Sequence, residues 1–227
     1  MDVIKAVTTR KSIRKFKPEP VSDDTLKEIL QIASRAPSAE NTQPWEFFVL
    51  QGAVLKKIKS AVLKKLMAGS PPPEEMSHLH VERPKGSIFR RRQVEIAKQL
   101  FQLMDIARDD AQKRMDWLLR GFRYFDAPQA IIVATDNCIP VHGGAFDIGG
   151  LAQTICLTAL SYGLSTCIEN QGVTYADVIR EYARIPDSYR LMIAIAIGYP
   201  DPDFPANRVA SEREPIDNIL HFRKELS

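Results

Sequence analysis

The sequence has few cysteines, few glycines and no long apolar run, and each shortage excludes a class of protein. Its three cysteines are an odd number without a CxxC spacing, so neither a disulfide framework nor a cysteine-based zinc or redox motif is indicated. The four histidines do not have the spacing of zinc ligands, so no metal site is predicted. No segment approaches the roughly 18 consecutive apolar residues of a membrane helix.

The charge and the glycine placement exclude two further classes. A net charge of +3 over 227 residues points to neither a nucleic acid nor an acidic partner. No glycine-rich turn follows the first predicted strand, which argues against a Rossmann dinucleotide site. The first residues lack the apolar region and cleavage site of a signal peptide, so we expect reduced thiols and a cytoplasmic location.

The hydrophobic spacing predicts helices and strands in loose alternation. Ser22 is a predicted helix cap, Thr174 and Asp177 form a predicted capping pair, and Gly69 to Gly86 is predicted to be a loop. The predicted helices cover residues 2–9, 22–36, 53–67, 88 to about 122, 146–162 and 174–182, and the predicted strands cover 45–50, 130–135, 165–169 and 191–197. The last strand is apolar throughout, which predicts burial on both faces of a sheet.

Two short segments near the N-terminus carry the most specific pattern. The segment Arg10 to Phe16 (RKSIRKF) concentrates cations and a hydroxyl, the donors that a phosphate monoester needs, although a charge run alone is equally typical of a solvated turn. The second segment, Ala36 to Trp45 (APSAENTQPW), is rich in hydrogen-bonding side chains and contains two prolines. Taken alone, such a loop is also typical of a helix end.

Together these segments resemble the N-terminal signature of the FMN-dependent nitroreductase family, R-[RK]-S-x-[RK]-x-F followed by A-P-S-x-x-N-x-Q-P-W. The resemblance implies an α+β fold with a central mixed or antiparallel sheet flanked by helices, in an intertwined homodimer that exchanges its tails. It also implies one FMN-binding domain over residues 1–227, with a variable helical insertion at about 69–125.

The same resemblance assigns cofactor contacts to the two segments. Arg10 and Ser12 are expected at the FMN phosphate, and Lys11 is expected with them among the contacts of the phosphate and ribityl chain. Arg14 is expected near the N1–O2 edge, where a cation favours the anionic reduced flavin. In relatives the second loop reaches the flavin that is bound mainly by the other subunit. Its expected cofactor contacts are Pro37, Ser38, Asn41 and Gln43.

Two later segments complete the expected site. The backbone at Glu169 and Asn170 is expected to face the flavin N5 and O4, although Asn170 replaces the family's usual glycine. In the tail, Arg213 matches the second cation of a K-x-R pattern, while Ser211 replaces the first. Arg208 is the candidate to compensate for that missing cation.

The resemblance implies an enzyme that transfers hydride from NADH or NADPH through FMN to nitroaromatic or quinone acceptors, with ping-pong kinetics and no side-chain general base. A reductive dehalogenase or another flavin enzyme of the same fold is one alternative. A non-catalytic protein that binds anions or nucleic acid is the second. Residues 83–123 are locally basic, with Arg90 to Arg92, Arg120 and Arg123, so they either favour acidic acceptors or form a solvated helix start.

Overall fold

A four-stranded antiparallel sheet lies at the centre of the computed structural model, which describes residues 2–79 and 82–224. The strands are β1 (Glu46–Gln51), β2 (Gln129–Asp136), β3 (Ser165–Glu169) and β4 (Tyr189–Gly198). Their order across the sheet is β1-β2-β4-β3, and every neighbouring pair is antiparallel. Strands β2 and β4 are therefore internal, whereas β1 and β3 lie at the edges. The predicted α+β architecture is confirmed.

Helices cover both faces of this sheet. They are α1 (Val3–Thr9), α2 (Asp23–Ala33), α3 (Gly52–Met67), α4 (Ile88–Leu103), α5 (Ala111–Phe122), α6 (Val141–Ser161) and α7 (Ala176–Ala183). Successive residues of a strand point to opposite faces, so Ile131 packs against α2 and α6 while Ile132 packs in the cluster of α3 and α7. Because both faces are buried, β2 and β4 are apolar almost throughout, as predicted for residues 191–197.

The capping residues define where two of the helices begin. The Ser22 hydroxyl accepts a hydrogen bond from the Thr25 N–H at 3.1 Å, which confirms the predicted cap of α2. The predicted Thr174/Asp177 capping pair is wrong. A 3₁₀ turn at Gln171–Val173 delays the start of α7 to Ala176, and the Thr174 hydroxyl donates instead to the Asn170 carbonyl at 3.2 Å.

The prediction of one helix from Ile88 to Phe122 is also wrong, because the chain breaks between α4 and α5. Asp105 adopts a left-handed conformation with φ of 50°, which aspartate tolerates better than most residues. Asp110 then starts α5, since its carboxylate accepts from the Lys113 N–H at 2.8 Å. The predicted loop before α4 contains a short 3₁₀ helix, Glu74–Leu79, and His80 in the same loop lies outside the described residues.

Among the described residues, no helix combines the length and apolar character needed to cross a bilayer. The thiols of Cys138, Cys156 and Cys167 are free, and the last two are buried. Over residues 2–79 and 82–224, no group of three or more His, Cys, Asp or Glu side chains has a metal-binding arrangement.

Candidate functional site

The basic segment that follows α1 lies along the free edge of β3. Ser12 pairs with Thr166 in a parallel bridge, and the Ile13 N–H donates to the Thr166 carbonyl at 3.0 Å. Phe16 forms an antiparallel bridge with Pro200. Ile13 and Phe16 are buried, so their burial anchors the segment while Ser12 and Arg14 remain partly exposed.

Asn207 in the C-terminal segment fixes the backbone of this strand-like segment. Its side-chain oxygen accepts from the Arg14 N–H at 2.6 Å, and its amide nitrogen donates to the carbonyls of Lys15 at 3.0 Å and Asp201 at 2.9 Å. Only 4% of Asn207 is exposed. The Arg120 guanidinium donates to the Arg14 carbonyl at 3.0 Å, so the peptide groups of Arg14 are held from two sides.

A pocket of about 430 Å³ opens where this segment meets the end of β3. Four of the predicted cofactor contacts line it, namely Ser12, Arg14, Glu169 and Asn170. Its other lining residues are Leu100 of α4, Trp117 of α5, Phe125, Cys167, Ile168 and Gln171. The pocket therefore combines an aromatic and aliphatic wall with a cation and a hydroxyl, the composition of a typical small-molecule site.

Three titratable side chains in and near this pocket have pKa values that are shifted by burial. Glu169 is 5% exposed, and burial raises the pKa of its carboxyl well above the usual value, although Arg14 and Lys59 act in the opposite direction. Burial lowers the pKa of Lys59 to about 8, and its ammonium donates to the Ala127 carbonyl at 2.7 Å. Burial, helped by Glu169, also raises the pKa of the Cys167 thiol to about 12, so this thiol is not a nucleophile at neutral pH.

Two arginines of the basic stretch form ion pairs with a carboxylate of the same chain. Asp126 forms ion pairs with Arg120 at 3.1 Å and with Arg123 at 2.8 Å. Burial alone would raise the pKa of Asp126, but the hydrogen bond from Arg123 and the charge of Arg120 hold it below the usual value. Arg120 also lies over the ring of Phe204 at 4.7 Å, so these cations position α5 and the C-terminal segment.

The second predicted segment lies apart from this pocket. The Ser38 hydroxyl accepts from the Gln43 N–H at 2.9 Å, and the Ala39 N–H donates to the buried Asp147 carboxylate of α6 at 3.3 Å. Asn41 and Gln43 have φ of 58° and 46° and are exposed, as is Pro37. The structure therefore gives this loop a defined shape, but none of its residues lines the pocket within one chain.

The remaining predicted contacts also lie outside the pocket lining. Arg10 ends α1 and is partly exposed, whereas Lys11 is exposed. Arg208 is exposed at the end of a 3₁₀ turn, and Arg213 donates to the Ser211 carbonyl at 3.1 Å and hydroxyl at 3.0 Å. Arg213 borders a different cavity, next to the first turns of α4.

The sequence interpretation gave no role at this site to Leu100, Trp117, Cys167, Ile168, Gln171 or Asn207. Leu100 and Trp117 face the pocket from α4 and α5, and Asn207 anchors its backbone. The apolar stripes of the two helices were visible, but nothing in them distinguishes a pocket wall from a core. Of the aromatic residues in and around α4 and α5, Trp117 and Phe125 line the pocket, whereas Phe122 and Tyr124 are buried without lining it and Phe89 is 62% exposed.

Comparisons with known proteins point to one family. A model of the nitroreductase family matches residues 7–199. The 4-nitrobenzoate reductase of Pseudomonas putida is 31% identical over 95% of this chain and 93% of its own length. The nitrobenzene nitroreductase of Ectopseudomonas oleovorans is 28% identical over 96% of each protein.

A solved structure extends the likeness to three dimensions. The crystal structure of the FMN and NADPH-dependent nitroreductase NfnB from sphigopyxis sp. strain HMH matches with a TM-score of 0.90. It is 26% identical and covers 99% of this chain and 100% of that chain. The match therefore includes the sheet, the N-terminal segment and the C-terminal segment.

Proposed function

The chain belongs to the nitroreductase family, and we propose that it is an FMN-dependent oxidoreductase that passes hydride from NADH or NADPH to nitroaromatic or quinone acceptors. The main support is the pocket at the end of β3, because Ser12, Arg14, Glu169 and Asn170 meet there although they are distant in the sequence. No observation favours a reductive dehalogenase, and family membership favours the enzyme over a non-catalytic binding protein.

The residues of the pocket suit FMN in chemical terms. A flat aromatic ring requires apolar walls, which Trp117, Phe125 and Ile168 provide. Its polar edge requires donors or a cation, and Arg14 is the cation among the residues that line the pocket. We propose that the backbone at Glu169 and Asn170 faces the flavin from the end of β3.

When bound, FMN supplies hydride transfer, and the protein supplies binding, orientation and electrostatics. Arg14 places a positive charge in a pocket with apolar walls, where electrostatic interactions are stronger than in water. Asn207 and Arg120 hold the backbone of Arg14, so the position of this charge is fixed before any ligand binds. The proposal requires no side chain as a general base, and donor and acceptor take turns in one pocket.

We propose that Arg10, Lys11 and Ser12 bind the phosphate, together with Arg213 and Arg208 of a tail. Ser12 lines the pocket, and Arg10 and Lys11 precede it directly. Neither Arg208 nor Arg213 lines the pocket that contains Ser12, and we propose that they reach the phosphate of the partner subunit. Their exposure supports this proposal, because their guanidinium groups are accessible to an anion.

We further propose a homodimer, with the loop from Pro37 to Gln43 completing the partner's site. The exposed loop has the hydrogen-bonding side chains that a ligand on a second subunit requires. Exposed apolar residues support a large interface, including Ile4 of α1 at 72% and Phe146 of α6 at 84%.

The tail supports the proposed exchange between subunits. Its exposed apolar residues are Ile216, Ile219, Leu220 and Phe222. Strand β1 is an edge of the four-stranded sheet and leaves one side for another strand. We propose that the whole chain acts as one FMN-binding domain, with residues 69–125 as the insertion that shapes acceptor choice. A cytoplasmic location remains a prediction.

The test is to purify the protein and record its visible spectrum before and after FMN is added. We expect a yellow protein that oxidises NADH or NADPH only when an acceptor such as 4-nitrobenzoate or a quinone is present. Initial rates at several concentrations of both substrates should give the parallel double-reciprocal lines of a ping-pong reaction. A protein that binds no FMN on titration would contradict the proposal.

A further inference from the structure

The carboxyl group of Glu169 is a buried polar group that the proposed reaction does not use. Glu169 ends β3, lines the pocket and is 5% exposed. Its side chain lies on the same face of β3 as that of Cys167, since the two residues are separated by two positions. Neither oxygen of this carboxyl accepts a hydrogen bond from any residue in the described ranges.

The donors near this carboxyl bond to other groups, and among the described residues none of them bonds to either of its oxygens. The Lys59 ammonium donates to the Ala127 carbonyl at 2.7 Å, and the Tyr124 hydroxyl donates to the Gly172 carbonyl at 2.8 Å. The Arg14 guanidinium donates to the Ser12 carbonyl at 3.3 Å. A buried carboxylate without a hydrogen bond or a direct ion pair is strongly unfavourable, and such a group takes up a proton instead.

We propose that Glu169 is a positioning residue held as a neutral carboxylic acid, so that it leaves the positive charge of Arg14 in the FMN pocket uncancelled. The inference rests on the proposed function, because the charge of Arg14 matters through the flavin. An ionised Glu169 would partly neutralise Arg14 and weaken the preference of the pocket for the anionic reduced cofactor. The neutral acid still has a hydroxyl that can donate a hydrogen bond, but leaving it unpaired costs much less than burying an unpaired charge.

The groups that face Glu169 come from four elements. Arg14 of the N-terminal segment and Lys59 of α3 favour its ionisation, whereas Cys167 of β3 and Tyr124 after α5 carry no charge at neutral pH. Lys59 loses its proton near pH 8, which removes one of the two favourable charges when the solution becomes alkaline. Glu169 is therefore expected to remain protonated through neutral pH.

Infrared spectroscopy of the purified holoenzyme tests the protonation state directly. At neutral pH, the wild type minus E169Q difference spectrum should contain the carbonyl stretch of one protonated carboxylic acid, which shifts in D₂O. The matched control E181Q changes an exposed carboxylate of α7 and should not remove this band. If E169Q does not fold, the band in the wild type alone and its loss on alkaline titration give the same answer. A wild type without such a band overturns the proposal.

The midpoint potential of bound FMN tests whether Glu169 leaves the charge of Arg14 uncancelled. Glutamine is neutral, so at neutral pH E169Q should change the ratio of reduced to oxidised FMN affinity by less than about twofold. An ionised Glu169 would make this change about tenfold, or about 30 mV for a two-electron couple. A difference of about 30 mV between the wild type and E169Q at neutral pH overturns the proposal. Equal midpoint potentials at neutral pH support it, whether or not the two potentials differ in alkali. A protein that fails to bind FMN at all would instead contradict the proposed function, while the infrared test would still report on Glu169.

Discussion

The pocket at the end of β3 and the loop from Pro37 to Gln43 contain residues of the same predicted site, but the structure treats them differently. At the pocket, Ser12 and Arg14 meet Glu169 within one chain, because the N-terminal segment forms a bridge with β3. The loop is anchored through the Ala39 N–H to Asp147 of α6, and its hydrogen-bonding side chains are exposed.

This difference separates two sources of site geometry. Backbone pairing and buried side chains fix the pocket, since Ile13, Phe16 and Asn207 hold the segment against the rest of the chain. The loop has a defined backbone, but the side chains of Pro37, Asn41 and Gln43 are exposed to solvent and are not held by buried neighbours. In the proposed homodimer, the partner subunit would cover these side chains. Experiments that impair one region at a time therefore also test the homodimer.

The largest expected effect comes from mixing two impaired subunits. If Asn41 completes a site that contains Arg14 of the other subunit, R14A and N41A homodimers should each be poorly active. Random reassociation of equal amounts should restore about a quarter of the wild-type sites, because half of the dimers are mixed and each contains one intact site.

The control for that experiment is R14A mixed with the double variant R14A/N41A, in which no site contains both residues and no activity should return. Sedimentation should show dimers throughout. A fully active monomer would contradict the proposal that the loop from Pro37 to Gln43 completes the site of a partner subunit.

The second effect concerns the pocket alone. R14A removes a charge-assisted contact worth about 1.5–3 kcal/mol, so FMN affinity should fall by about ten- to a hundredfold. FMN titration of the apoprotein measures this loss. K17A, three residues further along the chain and exposed, is the matched control and should bind FMN as the wild type does. Equal affinity of R14A and K17A would show that the cofactor binds elsewhere.

The third effect is a dependence of stability on pH. Lys59 has a pKa of about 8 in the folded protein and 10.5 as a reference, so between these values the unfolded chain binds more protons. The free energy of unfolding of the wild type should therefore rise relative to that of K59M from pH 8 to 10.5, by up to about 3 kcal/mol. Denaturant unfolding at several pH values measures this difference. K56M alters the exposed side of α3 and keeps Lys59. The difference in unfolding free energy between the wild type and K56M should therefore stay constant over this pH range.

The fourth effect tests how the pocket backbone is held. N207A removes the acceptor of the Arg14 N–H and the donor to two partly buried carbonyls, so we expect a loss of about 1–3 kcal/mol in unfolding free energy together with weaker FMN binding. The side-chain amide of Asn218 donates to the Glu214 carboxylate at 2.6 Å in the exposed tail, which makes N218A the control. If both variants were equally stable, Asn207 would not position the segment.

The smallest effect concerns acceptor choice. Arg120 and Arg123 are paired with Asp126, and at the exposed start of α4 Arg91 pairs with Glu95 and Arg92 with Glu214. Of the three arginines at this helix start, Arg90 donates to the neutral side chain of Gln93, so it keeps the most charge to attract an acidic acceptor. A partly exposed arginine attracts a carboxylate by about 1 kcal/mol. The kcat/KM for 4-nitrobenzoate should exceed that for nitrobenzene several-fold at low salt, and less at high salt. Equal values at both salt concentrations would mean that this stretch is only a solvated helix start.

Much of the fold followed from local patterns. The strands at residues 165–169 and 191–197 and the cap at Ser22 were predicted because apolar run length and capping chemistry are properties of neighbouring residues. The break between α4 and α5 was missed because the apolar stripe continues on both sides of Asp105. A left-handed turn at one aspartate does not change that period.

The sequence by itself determined the family, through the spacing of Arg10, Ser12, Arg14 and the loop that ends in Trp45, because side chains that bind one cofactor keep a fixed order in the chain. Only the tertiary structure decided that Arg14 reaches the end of β3 while Arg213 lies beside α4, and that the carboxyl of Glu169 is buried without a hydrogen bond. Burial and charge compensation depend on which distant segments meet across a sheet edge, and a linear pattern does not encode those distances.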